Sequence, residues 1–170
     1  MREDHRSSLW VLIIACQFLL FFSKNAAAQE TFDLTITERQ PFEFSVLAKP
    51  SSTVNWTIDT NGNSSGTATQ IYGSINPGVY MIECTAACKD FSTMDIHIEN
   101  VSSNCTGVSF TAWYGDYDGN GSANMPIFGV KVPEQSDIKY FYVGASVQIT
   151  SSATVGSCTP NFDIVIYTAP

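Results

Sequence analysis

Apolar residues in this chain recur at every second position in short runs, and nowhere do they keep an i, i+3, i+4, i+7 spacing for three turns. Phe32, Leu34 and Ile36 alternate with polar neighbours, as do Phe42, Phe44 and Val46, and then Val54, Trp56 and Ile58. A period of two sends successive side chains to opposite faces of a sheet, so each run reads as a half-buried strand. Further strands are expected at Val79–Thr85, Met94–Ile98, Gly107–Tyr114, Ile127–Val132, Ile138–Val143, Ser146–Thr150 and Phe162–Tyr167, with weaker material at Ala68, Gln70 and Tyr72. Asp59 to Gly66 reads as a long polar turn, and Asn76-Pro77-Gly78 as a tight one. Many short strands separated by turn residues predict an all-β, two-sheet antiparallel sandwich or jelly roll.

Leu9 to Phe22 is apolar except for Gln17, which suits the core of a signal peptide and falls short of the roughly 20 residues a spanning helix needs. Ala26-Ala27-Ala28 follows as a small-residue cleavage site. Residues 1–28 are therefore expected to be a cleaved leader, with an uncleaved anchor as the alternative, and 29–170 a secreted β-sandwich domain. No other apolar run reaches spanning length, and no membrane span is expected. Asp95-Ile-His-Ile and Asp163-Ile-Val-Ile close two halves, 29–101 and 102–170, which could be tandem units; halves of about 70 residues would have marginal cores, and one domain is the preferred reading.

After the leader, Arg39, Lys49, Lys89, Lys131 and Lys139 face fourteen Asp and Glu. An acidic surface repels phosphate backbones, which argues against a nucleic-acid partner. Ser, Thr and Asn supply most of the remaining polarity, and five Asn-x-Ser/Thr triplets begin at Asn55, Asn63, Asn100, Asn104 and Asn120. In a secreted chain these are candidate glycosylation sites. Cys84, Cys88, Cys105 and Cys158 form an even set outside the leader, which in an oxidising compartment reads as two disulfides. Three pairings are open; Cys84–Cys88 as a local clip with Cys105–Cys158 as a long-range staple is favoured. Zinc ligation is the alternative, and the Cys-x3-Cys spacing with two scattered cysteines suits it poorly.

The stretch Cys105–Gly129 carries the chemistry. Asp116, Asp118 and Asn120, followed by Gly121, match the opening of an oxygen-ligand calcium loop, in which alternate side chains converge on one hard cation. The twelfth position is Ile127 where a bidentate glutamate would be needed, so calcium stands beside the plainer reading of a glycine-rich hairpin loop, and no other cofactor is expected. Trp113, Tyr114 and Tyr117 flank this loop and, if they face outward, could stack on sugar rings or anchor a protein. Tyr140 and Tyr142 should share one strand face while Phe141 takes the other. His97, the one histidine after the leader, alternates with Ile96 and Ile98 and should face solvent with Asp95 and Glu99. No serine-hydrolase or phosphate-gripping motif is present, and Ile58-Asp59-Thr60-Asn61-Gly62 lacks the paired motif that aspartic-protease chemistry requires. No catalytic residue is assigned.

Cys105, Tyr117-Asp118-Gly119, Pro126-Ile127-Phe128-Gly129, Ser151-Ser152 and Phe162-x-x-x-Ile166-Tyr167 resemble the pattern of a CUB-type domain, and Val54-Asn55-Trp56-Thr57-Ile58 resembles that family's early strand with valine at its cysteine. The resemblance implies a secreted jelly roll that recognises an extracellular ligand. Val130-Lys131-Val132 stands where the family's second disulfide would close, and Val108 where its calcium-binding carboxylate would be, so calcium is not carried over whole. Trp56 and Pro77-Gly78-Val79-Tyr80 leading into Ile82 are similar to immunoglobulin-like and polycystic-kidney-disease-type sandwiches, with Ile82 where an immunoglobulin domain has tyrosine. The functional expectation is a non-enzymatic recognition glycoprotein for an extracellular protein or carbohydrate, with the Trp113–Asn124 region as its binding edge. The alternative is a structural component of an extracellular coat or matrix.

Overall fold

The computed structural model describes residues 33–86, 88, 92–153 and 160–169. The leader expected over 1–28 and the predicted disulfide partner Cys158 lie outside the described residues. The chain forms twelve strands: β1 (Asp33–Gln40), β2 (Glu43–Leu47), β3 (Val54–Ile58), β4 (Ser64–Gly66), β5 (Gln70–Asn76), β6 (Gly78–Ala86), β7 (Thr93–Ser103), β8 (Val108–Tyr117), β9 (Ala123–Asn124), β10 (Ile127–Lys131), β11 (Ile138–Ile149) and β12 (Pro160–Ala169). Among the described residues there is no α-helix, and no helix long and apolar enough to cross a membrane.

Every named strand pair is antiparallel, and the class is a sandwich-like all-β fold. Its layers are less simple than two sheets. One layer is a seven-stranded sheet in the order β1-β6-β11-β3-β4, with β8 on the other edge of β11 and β9 beyond it. The opposing layer is divided between a three-stranded sheet, β10-β7-β12, and a two-stranded one, β2-β5. Strands from the two halves of the sequence interleave, because β11 pairs with β3 and β6 while β12 pairs with β7.

β11 spans both parts of the core. From Phe141 onward its odd-numbered side chains turn inward: Phe141 and Val143 join a cluster with Ile82, Met94 and Ile96, while Ala145, Val147 and Ile149 join one with Phe42, Phe44, Trp56 and Ile58. The first cluster fills the space under the three-stranded sheet and the second the space under the two-stranded sheet. Trp113 and Phe162 pack against both, so they seal the join. Burying a side chain of this size contributes about 1.5–3 kcal/mol, which explains why the aromatic residues concentrate at the seam.

The chain was expected to break between Val143 and Ser146, but β11 runs through unbroken. Its one edge changes partner there, from β6 (Val143 opposite Gly78) to β3 (Ala145 opposite Ile58). Part of the expected Asp59–Gly66 turn is likewise ordered as β4, which pairs with β3. Cys84 and Cys88 form the expected local disulfide, with 6.1 Å between their Cα atoms. Cys105 is also disulfide-bonded.

Candidate functional site

The Trp113–Asn124 region, expected to present three aromatic side chains, presents one. β8 carries a bulge: Ser146 faces Ala112 and the next residue, Val147, faces Phe110, which leaves Thr111 without an opposite number. An extra residue in one strand reverses the facing of everything beyond it. Val108 and Phe110 therefore lie on the same inner face as Trp113, Gly115 and Tyr117. Trp113 stacks on Phe110 with centroids 5.0 Å apart and touches Phe42 and Phe162. Tyr117 is 4% exposed. Both rings turn inward: Trp113 packs in the core, and Tyr117 is largely buried, with part of it lining the cleft described below. Tyr114 alone takes the outer face, where its hydroxyl meets Ser146 Oγ at 3.0 Å beside the Thr57–Ser146 pair at 2.6 Å.

The calcium-type residues follow β8 into the turn, and each is engaged with the protein. Asp116 is buried and accepts from the Gly121 N–H at 3.1 Å. Asp118 lies 2.9 Å from the Lys139 ammonium, and the Asn120 side-chain amide donates to the Tyr117 carbonyl at 2.8 Å. A cation at this turn would have to compete with these protein partners. Among the described residues no cluster of three or more His, Cys, Asp or Glu is placed to hold a metal.

The same turn forms one wall of a cleft of about 440 Å³. Tyr117, Val130 and Val132 make its apolar floor, and Asp118, Lys131, Glu134, Asp137 and Lys139 its rim. The Tyr117 hydroxyl donates to the Lys131 carbonyl at 3.0 Å, tying β8 to the end of β10 across the floor. Burial, reinforced by the charges of Asp118 and Asp137, holds this phenol well above its ordinary pKa. Lys139 is gripped from two sides, 2.9 Å from Asp118 and 3.4 Å from Asp137. The hydrogen bond to Asp118, then that to Asp137, raises its pKa and keeps it charged. Lys131 and Glu134 pair at 2.8 Å in an exposed position, where such a bridge adds little to stability. The rim thus offers two ammonium groups and three carboxylates in alternation, suited to a ligand rich in both hydrogen-bond donors and acceptors and poorly suited to a polyanion.

Sequence reasoning reached Tyr117, Asp118 and Asn120 and missed Lys131, Glu134, Asp137 and Lys139. Those four come from the end of β10, the connection after it and the start of β11, and the only hint was that two of the five cations outside the leader stand eight residues apart there. His97 faces outward with Asp95 and Glu99, and its ring contacts are Phe128 and Tyr167. The five sequon asparagines, Asn55, Asn63, Asn100, Asn104 and Asn120, are all exposed.

No family model, curated protein or solved structure matches this chain. The likenesses to CUB-type and immunoglobulin-like domains therefore rest on the quoted motifs alone.

Proposed function

We propose that the chain is a secreted, N-glycosylated recognition module without catalytic activity, and that it binds an extracellular protein or carbohydrate ligand in the Tyr117–Lys139 cleft. The observation that carries this reading is the rim. Lys139 sits on the most deeply embedded strand of the fold and is clamped by two carboxylates, so its charge is oriented before any ligand arrives. Preorganisation of this kind lowers the entropic cost of binding. Neutral hydroxyl-rich sugars and peptide backbones both offer the mixed donors and acceptors that an alternating rim requires. Exposure of all five sequon asparagines supports the glycoprotein part of the proposal.

The test is binding of the purified protein to an immobilised panel of neutral glycans and to cell surfaces, with and without calcium. Lys139→Met and Asp118→Asn should each weaken binding by about tenfold while the protein stays folded. Unchanged binding in both variants overturns the assignment of the cleft.

A second reading, a structural component of an extracellular coat, is favoured by β12. This ten-residue strand is an outer strand of its sheet among the described residues, and such edges template pairing with another chain. Concentration-dependent sedimentation of the purified protein would support that reading over a discrete recognition module.

A further inference from the structure

The outer face of the three-stranded sheet carries a feature the cleft does not explain. Along β7 and β12 the inward side chains are Met94, Ile96, Ile98, Phe162, Ile164 and Ile166. Their alternates form the opposite face: Asp95, His97 and Glu99 on β7, and Asp163, Val165 and Tyr167 on β12, with Val165 opposite His97. Phe128 of β10 joins them. The bulge between Ile127 and Val130 keeps both of those residues in the core and leaves Phe128 outside, 65% exposed. Tyr167 is 50% exposed.

The His97 ring stands edge-on between the two, 5.8 Å from Phe128 and 4.8 Å from Tyr167. Carboxylates hold this row in place: Asp95 accepts from the Gly129 N–H at 2.8 Å, and Glu99 accepts from the Tyr167 hydroxyl at 2.9 Å. Each still has lone pairs free on its second oxygen. Asp163 lies opposite Glu99 in register. Among the described residues the nearest cation by register is Lys131 at the end of β10, and its ammonium is paired with Glu134. The face therefore sets three carboxylates beside three rings, with no cation of its own turned toward them among the contacts observed.

Rings beside uncompensated carboxylates are the two halves of a site for a guanidinium or ammonium group. The ring faces attract the cation through their quadrupole, and the carboxylates neutralise it through charge-assisted hydrogen bonds. We infer that the Phe128–His97–Tyr167 face, flanked by Asp95, Glu99 and Asp163, binds an arginine- or lysine-bearing segment of a protein partner. This surface is separate from the cleft, so either can fail without the other.

The probe is a synthetic peptide of alternating arginine and glycine, titrated into the full-length secreted protein at several salt concentrations. Asp95→Asn, Glu99→Gln and Asp163→Asn together remove the charge while keeping an acceptor for Gly129 and Tyr167. That variant should bind at least about tenfold more weakly, with a flatter salt dependence. Phe128→Ala with Tyr167→Ala should also lose about tenfold. A variant with the same change in net charge elsewhere, Glu38→Gln, Glu43→Gln and Glu83→Gln on β1, β2 and β6, should bind as the unmodified protein does. The proposal is overturned if that control weakens binding as much as the first variant, if the aromatic variant binds unchanged, or if no binding is measured. It is overturned equally if neutral oligosaccharides, insensitive to salt, bind through these residues instead. Melting curves for each variant distinguish a lost contact from a lost fold.

Discussion

Gly144 lies directly against the backbone of Ile58: a Cβ at Gly144 would stand 2.5 Å from the Ile58 carbonyl oxygen and 2.8 Å from the Asp59 carbonyl carbon. This is the point where β11 exchanges β6 for β3 along one edge, and the chain leaving β3 must pass over it. The neighbours are main-chain atoms fixed by pairing on both sides, and they have no flexible side chain to yield. Gly144→Ala should destabilise the protein by about 2–3 kcal/mol, as overpacking in a rigid site does. Urea denaturation checks it; an unchanged midpoint would mean the β3 end gives way freely.

Trp113 and Phe128 are both large rings, and they should behave oppositely. Trp113 joins the two core clusters through Phe42, Phe110 and Phe162. Trp113→Ala opens a cavity at the seam and should cost about 3–5 kcal/mol. Phe128→Ala removes a mostly exposed ring and should change stability by about 0.5 kcal/mol or less. Thermal melts of the two variants side by side decide the matter, and comparable losses would contradict the inward placement of Trp113.

What the residue pattern disclosed, and what it hid, follows from the physics of pleating. Alternation alone set Phe141 on one strand face and Tyr140 and Tyr142 on the other without saying which was core; Phe141 is fully buried while Tyr140 is 42% exposed. It identified His97 as outward for the same reason. Parity fails at a bulge, and a bulge depends on the partner strand: nothing in Ser109-Phe110-Thr111-Ala112 announces that Thr111 will be skipped opposite β11. That one slip turned Trp113 into the core and Tyr117 onto the inner face, where it floors the cleft. The break expected between Val143 and Ser146 is absent because an isolated glycine in a strand can mark either a break or a close approach, and only the fold brings Ile58 to Gly144. The rim of the cleft was hidden because Asp118 and Lys139 meet only after β8 and β11 pair.

Asp59 organises the hairpin between β3 and β4. Its Oδ1 accepts from the N–H groups of Asn61 and Asn63 at 2.9 and 2.8 Å, and its Oδ2 from the Asn63 side-chain amide at 2.9 Å. Partial burial pushes its pKa up, but the hydrogen bonds from Asn63, Asn61 and Gly62 outweigh that and leave it below its ordinary 3.8. A folded pKa below the unfolded one means stability that is complete above pH 3.8 and is lost as pH falls through the lower, folded value. Asp59→Ala should cost about 1 kcal/mol at neutral pH and make the remaining stability less sensitive to acid. The comparison is of melting temperature against pH between about 2 and 6, where parallel curves for the two proteins would count against the turn's dependence on this carboxylate.

At the opposite end of the pH scale, three groups act in the same direction. Burial raises the pKa of Tyr117, helped by Asp118 and Asp137; burial raises that of Tyr80, helped by Glu38; and hydrogen bonds to Asp118 and Asp137 raise that of Lys139. Each holds its proton more tightly in the folded chain than in the unfolded one. Their contribution to stability is therefore complete below an unfolded pKa of about 10 and is lost as pH rises through the folded values. The melting temperature should be level through neutrality and fall above about pH 10. Tyr117→Phe separates the phenol from the rest. It forfeits the hydrogen bond to the Lys131 carbonyl, about 1 kcal/mol at pH 7, but has no proton to lose from the cleft floor. Its curve should start lower than that of the unmodified protein and decline less steeply in alkali. An equally steep decline would place the Tyr117 hydroxyl in contact with water, and the floor of the cleft would need to be redrawn.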